Sequence, residues 1–168
     1  SVLVFLAVAM IFSLSWVTEG RAVLRAGRSR FTLSTLPVAE FPNIEDGQST
    51  QELSLPRGTL KHLIDSTAFA MAQQDVRYYL NGLLLSLRSD RVRCVATDGH
   101  RLALSDAHID VDVDEAIQAI IPRKGVTELV RLLGNSDAEI RLMLSNKHLR
   151  LQLPGLSFTT KLIDGHFP

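Results

Sequence analysis

The sequence predicts an α+β fold: a duplicated β-α-β-β-β unit whose two helices pack on antiparallel sheets. Three observations predict it. Leu55-Pro-Arg-Gly-Thr-Leu-Lys-His-Leu-Ile64 matches Ile121-Pro-Arg-Lys-Gly-Val-Thr-Glu-Leu-Val130 in pattern. Each phrase starts in an apolar strand, enters a helical period and is followed by three short strand-like runs. Within the first copy, Val92, Cys94 and Ala96 alternate with Arg93, Val95 and Thr97, then Asp98-Gly99 supplies two residues that tolerate positive φ in a tight turn. Leu102 and Leu104 resume the alternation, which is a hairpin signal. The repeat period is far longer than that of a solenoid, so the unit is duplicated once rather than arrayed.

In chain order, residues 1–16 are uncharged and almost wholly apolar. They are short for a membrane span and lack the basic front of a secretory signal. A buried piece of a truncated domain, or a mistranslated upstream end, is expected, with a strand over 11–17. Thr18-Glu19-Gly20 reads as a turn, and 21–25 and 28–36 as further strands. Pro37, Pro42, Gly47 and Asn43, with three acids, mark 37–50 as a linker. The expected division is therefore 1–48 and 49–168. A strand over 52–55 leads through Pro56 into a helix over 59–72, with Leu60, Leu63, Ile64, Ala68 and Met71 on one face. Strands follow at 80–87, 91–97 and 101–105, then an acidic stretch over 106–115. A strand over 116–121 and Pro122 open the second helix. Val126, Leu129, Val130 and Leu133 form its apolar face, and Gly134-Asn135 its stop. Strands at 139–144, 148–153 and 157–163 complete the second copy. The chain ends in mid-phrase at His166-Phe167-Pro168 and is expected to be a fragment.

With 168 residues, 46% hydrophobic and 21% charged, the chain can build one full domain and part of another. Its net charge of zero implies no global attraction to nucleic acid or membrane, so any attraction must come from charge distribution. Arg57, Lys61, Arg123, Lys124 and Arg131 give the helices a basic bias, although solvated helix faces explain them as simply. One cysteine excludes an internal disulfide framework and fits a reducing, cytoplasmic compartment. Cys94 reads as a buried, inert thiol.

Few chemical motifs stand out. Asp110-x-Asp112-x-Asp114 lacks the glycine and glutamate of a calcium loop. Its alternation with Ile109, Val111 and Val113 reads as an edge strand with a charged outer face. A metal-dependent nuclease or phosphoesterase using residues 106–115 is the alternative function. The five histidines lack ligand spacing, and His100 has no serine or cysteine placed for activation. No metal, cofactor or catalytic residue is expected. Leu80, Thr97, His100, Arg101 and Leu102 can be set side by side by the hairpin and its neighbour, the make-up of a binding groove. Tyr78 and Tyr79, beside Arg77 and Gln74, read equally as core and surface residues or as a platform for a nucleic-acid strand.

Five phrases carry a resemblance: Ala26-Gly-Arg-Ser-Arg-Phe-Thr-Leu-Ser-Thr-Leu-Pro37, Gln74-Asp-Val-Arg-Tyr-Tyr-Leu-Asn-Gly82, Val95-Ala-Thr-Asp-Gly-His-Arg-Leu-Ala103, Pro122-Arg-Lys-Gly125 and Lys161-Leu-Ile-Asp-Gly-His-Phe-Pro168. Together they resemble the bacterial sliding-clamp family, the β subunit of DNA polymerase III, from about Val17 to Pro168. Residues 1–10 depart from that pattern. The resemblance implies a DNA clamp fold, with 1–48 the end of a first clamp domain plus linker and 49–168 the central domain. It implies a head-to-tail homodimeric ring around duplex DNA, non-catalytic, that makes a polymerase processive. It implies DNA contacts at Gln74, Tyr78 and Tyr79, with Arg77 and Lys124 as helpers. It implies a groove of Leu80, Thr97, Gly99, His100, Arg101, Leu102 and Pro168 for short peptides of the polymerase α subunit, clamp loader and repair proteins. Arg28, Arg30 and Ser34 would lie at the dimer interface.

Overall fold

The computed structural model describes residues 4–7, 10–18, 20–41, 51–113, 116–134, 136 and 138–168, with side chains from residue 20 onward. Glu19, most of the expected linker, Asp114, Glu115 and Asn135 lie outside the described residues. The chain divides into two compact units, Ser1–Asp46 and Gly47–Pro168.

The first unit is an antiparallel meander of β1 (Val4–Ala7), β2 (Met10–Thr18), β3 (Arg21–Ala26) and β4 (Ser29–Ser34), in that order. Ala26 pairs with Ser29, so Gly27 and Arg28 form the turn, and the φ of +58° at Gly27 is one that side chains resist. Strand β4 is therefore shorter than the expected 28–36. It is an edge strand exposed at all six residues, Phe31 and Leu33 included.

The second unit begins with β5 (Gln51–Pro56) and α1 (Arg57–Asp65), then β6 (Gly82–Arg88), β7 (Arg91–Thr97) and β8 (Leu102–His108). The same order recurs as β9 (Ile117–Pro122), α2 (Arg123–Leu133), β10 (Glu139–Leu144), β11 (His148–Leu153) and β12 (Leu156–Lys161). Each helix starts directly off a strand-ending proline in extended geometry, Pro56 (φ −61°, ψ 134°) and Pro122 (φ −63°, ψ 150°). The two copies exchange their first strands. The sheets run β8-β7-β6-β9 and β12-β11-β10-β5, antiparallel throughout. The exchange is reciprocal in register as well: Gly82 opposes Pro122, and Glu139 opposes Pro56.

The helices pack against each other and share one core with both sheets. Leu60, Leu63 and Ile64 of α1 meet Val126, Leu129 and Leu133 of α2, while Leu83, Leu85 and Leu87 point inward from β6. Helix α1 stops at Asp65, well before the expected residue 72. Buried Thr67 donates its hydroxyl to the Leu63 carbonyl at 2.8 Å, supplanting the main-chain donor that would continue the helix. Ala68 then enters a 3-10 turn, Ala68–Ala70, and Met71 is buried from an extended backbone. The expected acidic edge strand is also absent from the described residues. Strand β8 ends at His108, and 109–113 run without a ladder. Their alternation nevertheless holds: Val111 is buried while Asp110 and Asp112 are exposed. Among the described residues no helix is long and apolar enough to cross a membrane, which leaves strand-built spans unaddressed.

Candidate peptide groove and nucleic-acid face

Thr97 pairs with Leu102, so the hairpin closes through four residues, Asp98–Arg101, not through a two-residue turn. Only Gly99 takes a positive φ, +87°. Asp98 Oδ1 accepts the backbone N–H groups of His100 and Arg101 at 3.0 Å each, an Asx turn that needs no second left-handed residue. Those two N–H groups, first that of His100, hold the Asp98 carboxyl below the usual carboxylate range. Thr97 is buried; its hydroxyl accepts from Gly99 N at 3.1 Å and donates to the Arg101 carbonyl at 2.7 Å. The loop thus projects His100, Arg101 and Leu102 into solvent, with Leu102 64% exposed.

Two arginines fasten this loop to the segment between α1 and β6. Arg77 donates to both Asp75 carboxylate oxygens, at 3.0 and 2.8 Å, and to the Asp98 carbonyl at 3.3 Å. A Cβ at Gly99 would stand 2.9 Å from Arg77 Nη1, the movable end of a long side chain, so the φ of +87° rather than space is what favours glycine there. Arg101 donates to Asp98 Oδ2 at 3.1 Å and to the Phe69 carbonyl at 2.9 Å, and lies 5.7 Å from the Phe69 ring centre. The Asn81 amide clamps the Asp75 backbone in both directions at 2.9 Å. The Arg77 guanidinium beside Asp75, with the Arg77 N–H, takes the Asp75 carboxyl down to about 2. Leu80 sits in the 3-10 turn Tyr78–Asn81 and is 2% exposed. Leu80 and Thr97 therefore lie beneath the candidate groove, while Gly99, His100, Arg101, Leu102 and Pro168 are exposed.

The last residues fold back across the outer face of β8-β7-β6-β9. Ile163 donates to the Ile120 carbonyl at 2.9 Å. Gly165 packs on Tyr78 and Tyr79, whose rings meet edge to face at 5.9 Å. Phe167 is buried with Leu84, Val95 and Ile120. Leu102, Leu104, Phe167 and Pro168 then line one depression of about 250 Å³ with residues of β6 and β7.

On the helical side the basic bias is mostly consumed internally. Arg57 donates to the Leu132 carbonyl at 2.5 Å, and Arg123 reaches the Met71 and Ala72 carbonyls at 3.4 Å. Lys61 pairs with Asp65, and Arg131 with Glu128 at 3.1 Å. Lys124 is exposed, with no hydrogen bond or ion pair among the described residues. It adjoins the Arg123 bond that pins residues 71–72, two positions before exposed Gln74, whose φ of +57° is unusual for a side chain. Gln74, Arg77 and Tyr78 are exposed and Tyr79 half-buried. In the first unit, Arg28 lies in the turn and Arg30 and Ser34 on edge strand β4, all exposed.

Other candidates fall away. Burial pushes the Cys94 thiol up to about 12, which removes thiolate chemistry at neutral pH. Asp106 is bound to Arg93 at 2.6 Å, so the acidic stretch starts with a carboxylate already partnered. No group of three His, Cys, Asp or Glu converges among the described residues. Sequence reasoning missed Asp75, Asn81, Phe69 and Phe167. Phe69 and Phe167 meet partners distant in sequence, whereas Asp75 meets Arg77 and Asn81 two and six residues away, of which only the Asp75-x-Arg77 spacing signalled a pair.

Comparison with known proteins gives a consistent result. The family described as DNA polymerase III beta subunit, central domain, matches residues 54–168. The beta sliding clamp of Pseudomonas aeruginosa is 49% identical over 152 residues, 90% of this chain and 41% of that protein. That of Escherichia coli K12 is 49% identical over 148 residues, 88% of this chain and 40% of the relative. The crystal structure of the DNA polymerase III subunit beta from Pseudomonas aeruginosa superposes with a TM-score of 0.84 at 46% identity, covering 95% of this chain and 44% of that one. A Bartonella birtlesii sliding clamp, solved bound to griselimycin, gives 0.82 at 40% identity, covering 95% and 44%. The chain thus spans about two fifths of the length of these relatives.

Proposed function

This chain belongs to the DNA polymerase III beta subunit family through its central domain, and from that premise we propose that it is part of a DNA-encircling sliding clamp. The clamp is a non-catalytic processivity subunit that works in the cytoplasm. Residues 1–48 are the end of a first clamp domain plus linker, and 49–168 the central domain. Duplex DNA runs past the paired helices, touched loosely by Gln74, Arg77, Tyr78, Tyr79 and Lys124. Weak phosphate contacts suit a ring, because topology rather than affinity prevents loss. The loop Asp98–Arg101 with Leu102 and Pro168, supported from below by Leu80 and Thr97, receives clamp-binding peptides of the polymerase α subunit, clamp loader and repair proteins. Arg30 and Ser34 on the edge strand, with Arg28 in the turn that leads into it, pair with a second copy in the full-length homodimer.

One observation carries this reading. The helices and the inner sheet faces close a single core, while a loop anchored by Arg77 and Arg101 holds an exposed Leu102 beside Pro168. Rigid support of an exposed apolar anchor is what a peptide-docking edge requires. Calorimetry of a Leu/Phe-bearing clamp-motif peptide against the 168-residue chain tests it. His100→Ala with Leu102→Ala should weaken binding about tenfold, since neither side chain supports the core. Unchanged affinity would refute the groove.

A further inference from the structure

The outer face of β8-β7-β6-β9 changes character along its strands. One cross-strand row is Leu104, Val95, Leu84 and Ile120, apolar throughout. The next is Asp106, Arg93, Ser86 and Gln118. The third is His108, Arg91 and Arg88. Arg88, Arg91 and Arg93 line the same depression of about 250 Å³ as Leu102 and Pro168. Arg93 holds Asp106 at 2.6 Å and Arg91 holds Asp90 at 2.7 Å, both surface pairs that an incoming carboxylate can share. Arg88 is exposed, and its side chain has no ion pair or hydrogen bond among the described residues. Four residues of strand separate Leu84 from Arg88, about 13 Å. A peptide anchored at Leu102 therefore reaches the arginines with a flank of four or five residues.

We propose that the depression opening from Leu102 and Pro168 onto Arg88, Arg91 and Arg93 extends the peptide groove and selects partner peptides whose flank carries Asp or Glu. This rests on the groove reading above. It adds a source of specificity: apolar anchors fix the peptide at the hairpin, and carboxylates on its flank decide between peptides with equal anchors. The Arg93–Asp106 and Arg91–Asp90 pairs hold their guanidinium groups in place while leaving donors for a second oxygen. A peptide rather than a nucleic-acid strand is the fitting occupant, because the basic row starts at an apolar row with no exposed aromatic ring for bases to stack on.

The test uses synthetic peptides with one Leu/Phe anchor and a five-residue tail at either end, the tail being Ser or alternating Asp and Glu. Against the 168-residue chain at low salt, one acid-tailed peptide should bind about tenfold tighter than its Ser-tailed partner. Arg88→Ser with Arg91→Ser should abolish that gain and leave Ser-tailed binding unchanged. Lys147→Ser, which changes a cation in the separate depression across Phe167, should preserve the gain. The proposal is overturned if neither acidic tail helps, if the gain survives the arginine changes, or if Lys147→Ser removes it equally. It is also overturned if the arginine changes release a single-stranded oligonucleotide while acid-tailed peptides bind as before. Ser-tailed binding with no acidic gain sinks this inference alone; failure of every peptide sinks the groove with it.

Discussion

The two copies of the β-α-β-β-β unit share a scaffold and differ in their connections. In the first copy, helix and next strand are joined by residues 66–81, and the later hairpin closes through Asp98–Arg101. In the second, residues 134–138 make the first connection, and Pro154-Gly155 alone closes the hairpin between Leu153 and Leu156. Every central-unit residue proposed for DNA or peptide, except Lys124, Pro168 and the arginines Arg88, Arg91 and Arg93 of β6 and β7, lies in the enlarged connections of the first copy or at their strand ends. The difference teaches where the fold is free to vary. Core positions must serve both copies, because each lends its first strand to the other's sheet. Loops answer to no such reciprocity, so function accumulates in them.

The largest expected effect tests the equivalence of the scaffold. Leu63 and Leu129 occupy matching places in α1 and α2, and both are wholly buried in one core. Leu63→Ala and Leu129→Ala should each cost about 3 kcal/mol by chemical denaturation. Both variants should unfold the second unit in a single transition, since neither sheet is complete without the other copy. Two transitions, or a cost confined to one variant, would break the equivalence.

A smaller effect sharpens it. Gly82 opposes Pro122 where the first copy receives its exchanged strand; the matching place in the second copy is Glu139. A Cβ at Gly82 would lie 2.7 Å from the Ile121 carbonyl oxygen, which is main chain and cannot swing aside. Gly82→Ala should therefore cost about 1–3 kcal/mol in the same unfolding measurement. A neutral result would mean that the two crossings are as permissive as each other.

Much of this was legible in the sequence, and the rest was hidden for definite reasons. Strands β7, β10 and β11 begin and end where the alternation says, and the duplicated phrase announced both helices. The exchange of first strands was not legible, because alternation fixes which face a side chain takes and not which strand it pairs with. Helix α1 was read too long because Ala68 and Met71 stay in phase with Leu60 and Ile64 after the backbone has left the helix. The hairpin turn was placed correctly at Gly99, but the Asx geometry of Asp98 lengthened the loop. At the candidate site the hairpin residues were legible, whereas the ties from Arg77 to Asp98 and from Arg101 to Phe69 span long sequence separations that no local pattern reports.

The smallest expected effect concerns a clamp with no counterpart among the described residues of the second copy. Asp75, bonded by Arg77 and bracketed by Asn81, links the tyrosine turn to the hairpin loop. Its carboxyl is held at about 2 in the folded chain, against 3.8 for the free side chain. A depressed value means that the folded state takes up this proton later than the unfolded state does. The stabilisation is thus complete above about pH 4 and is lost as pH falls through 2. Because the group is half-buried at the surface and outside the core, the loss should be local. Backbone amide signals of residues 74–81 and 98–101 should shift together in that window, while those around Pro154-Gly155 hold still. Asp75→Asn should abolish the concerted shift and leave a smaller one from Asp98, whose carboxyl is also held low by the His100 and Arg101 amides. Simultaneous movement of both hairpin ends would show that the acid transition is global and that the two copies do not differ in how their loops are fastened.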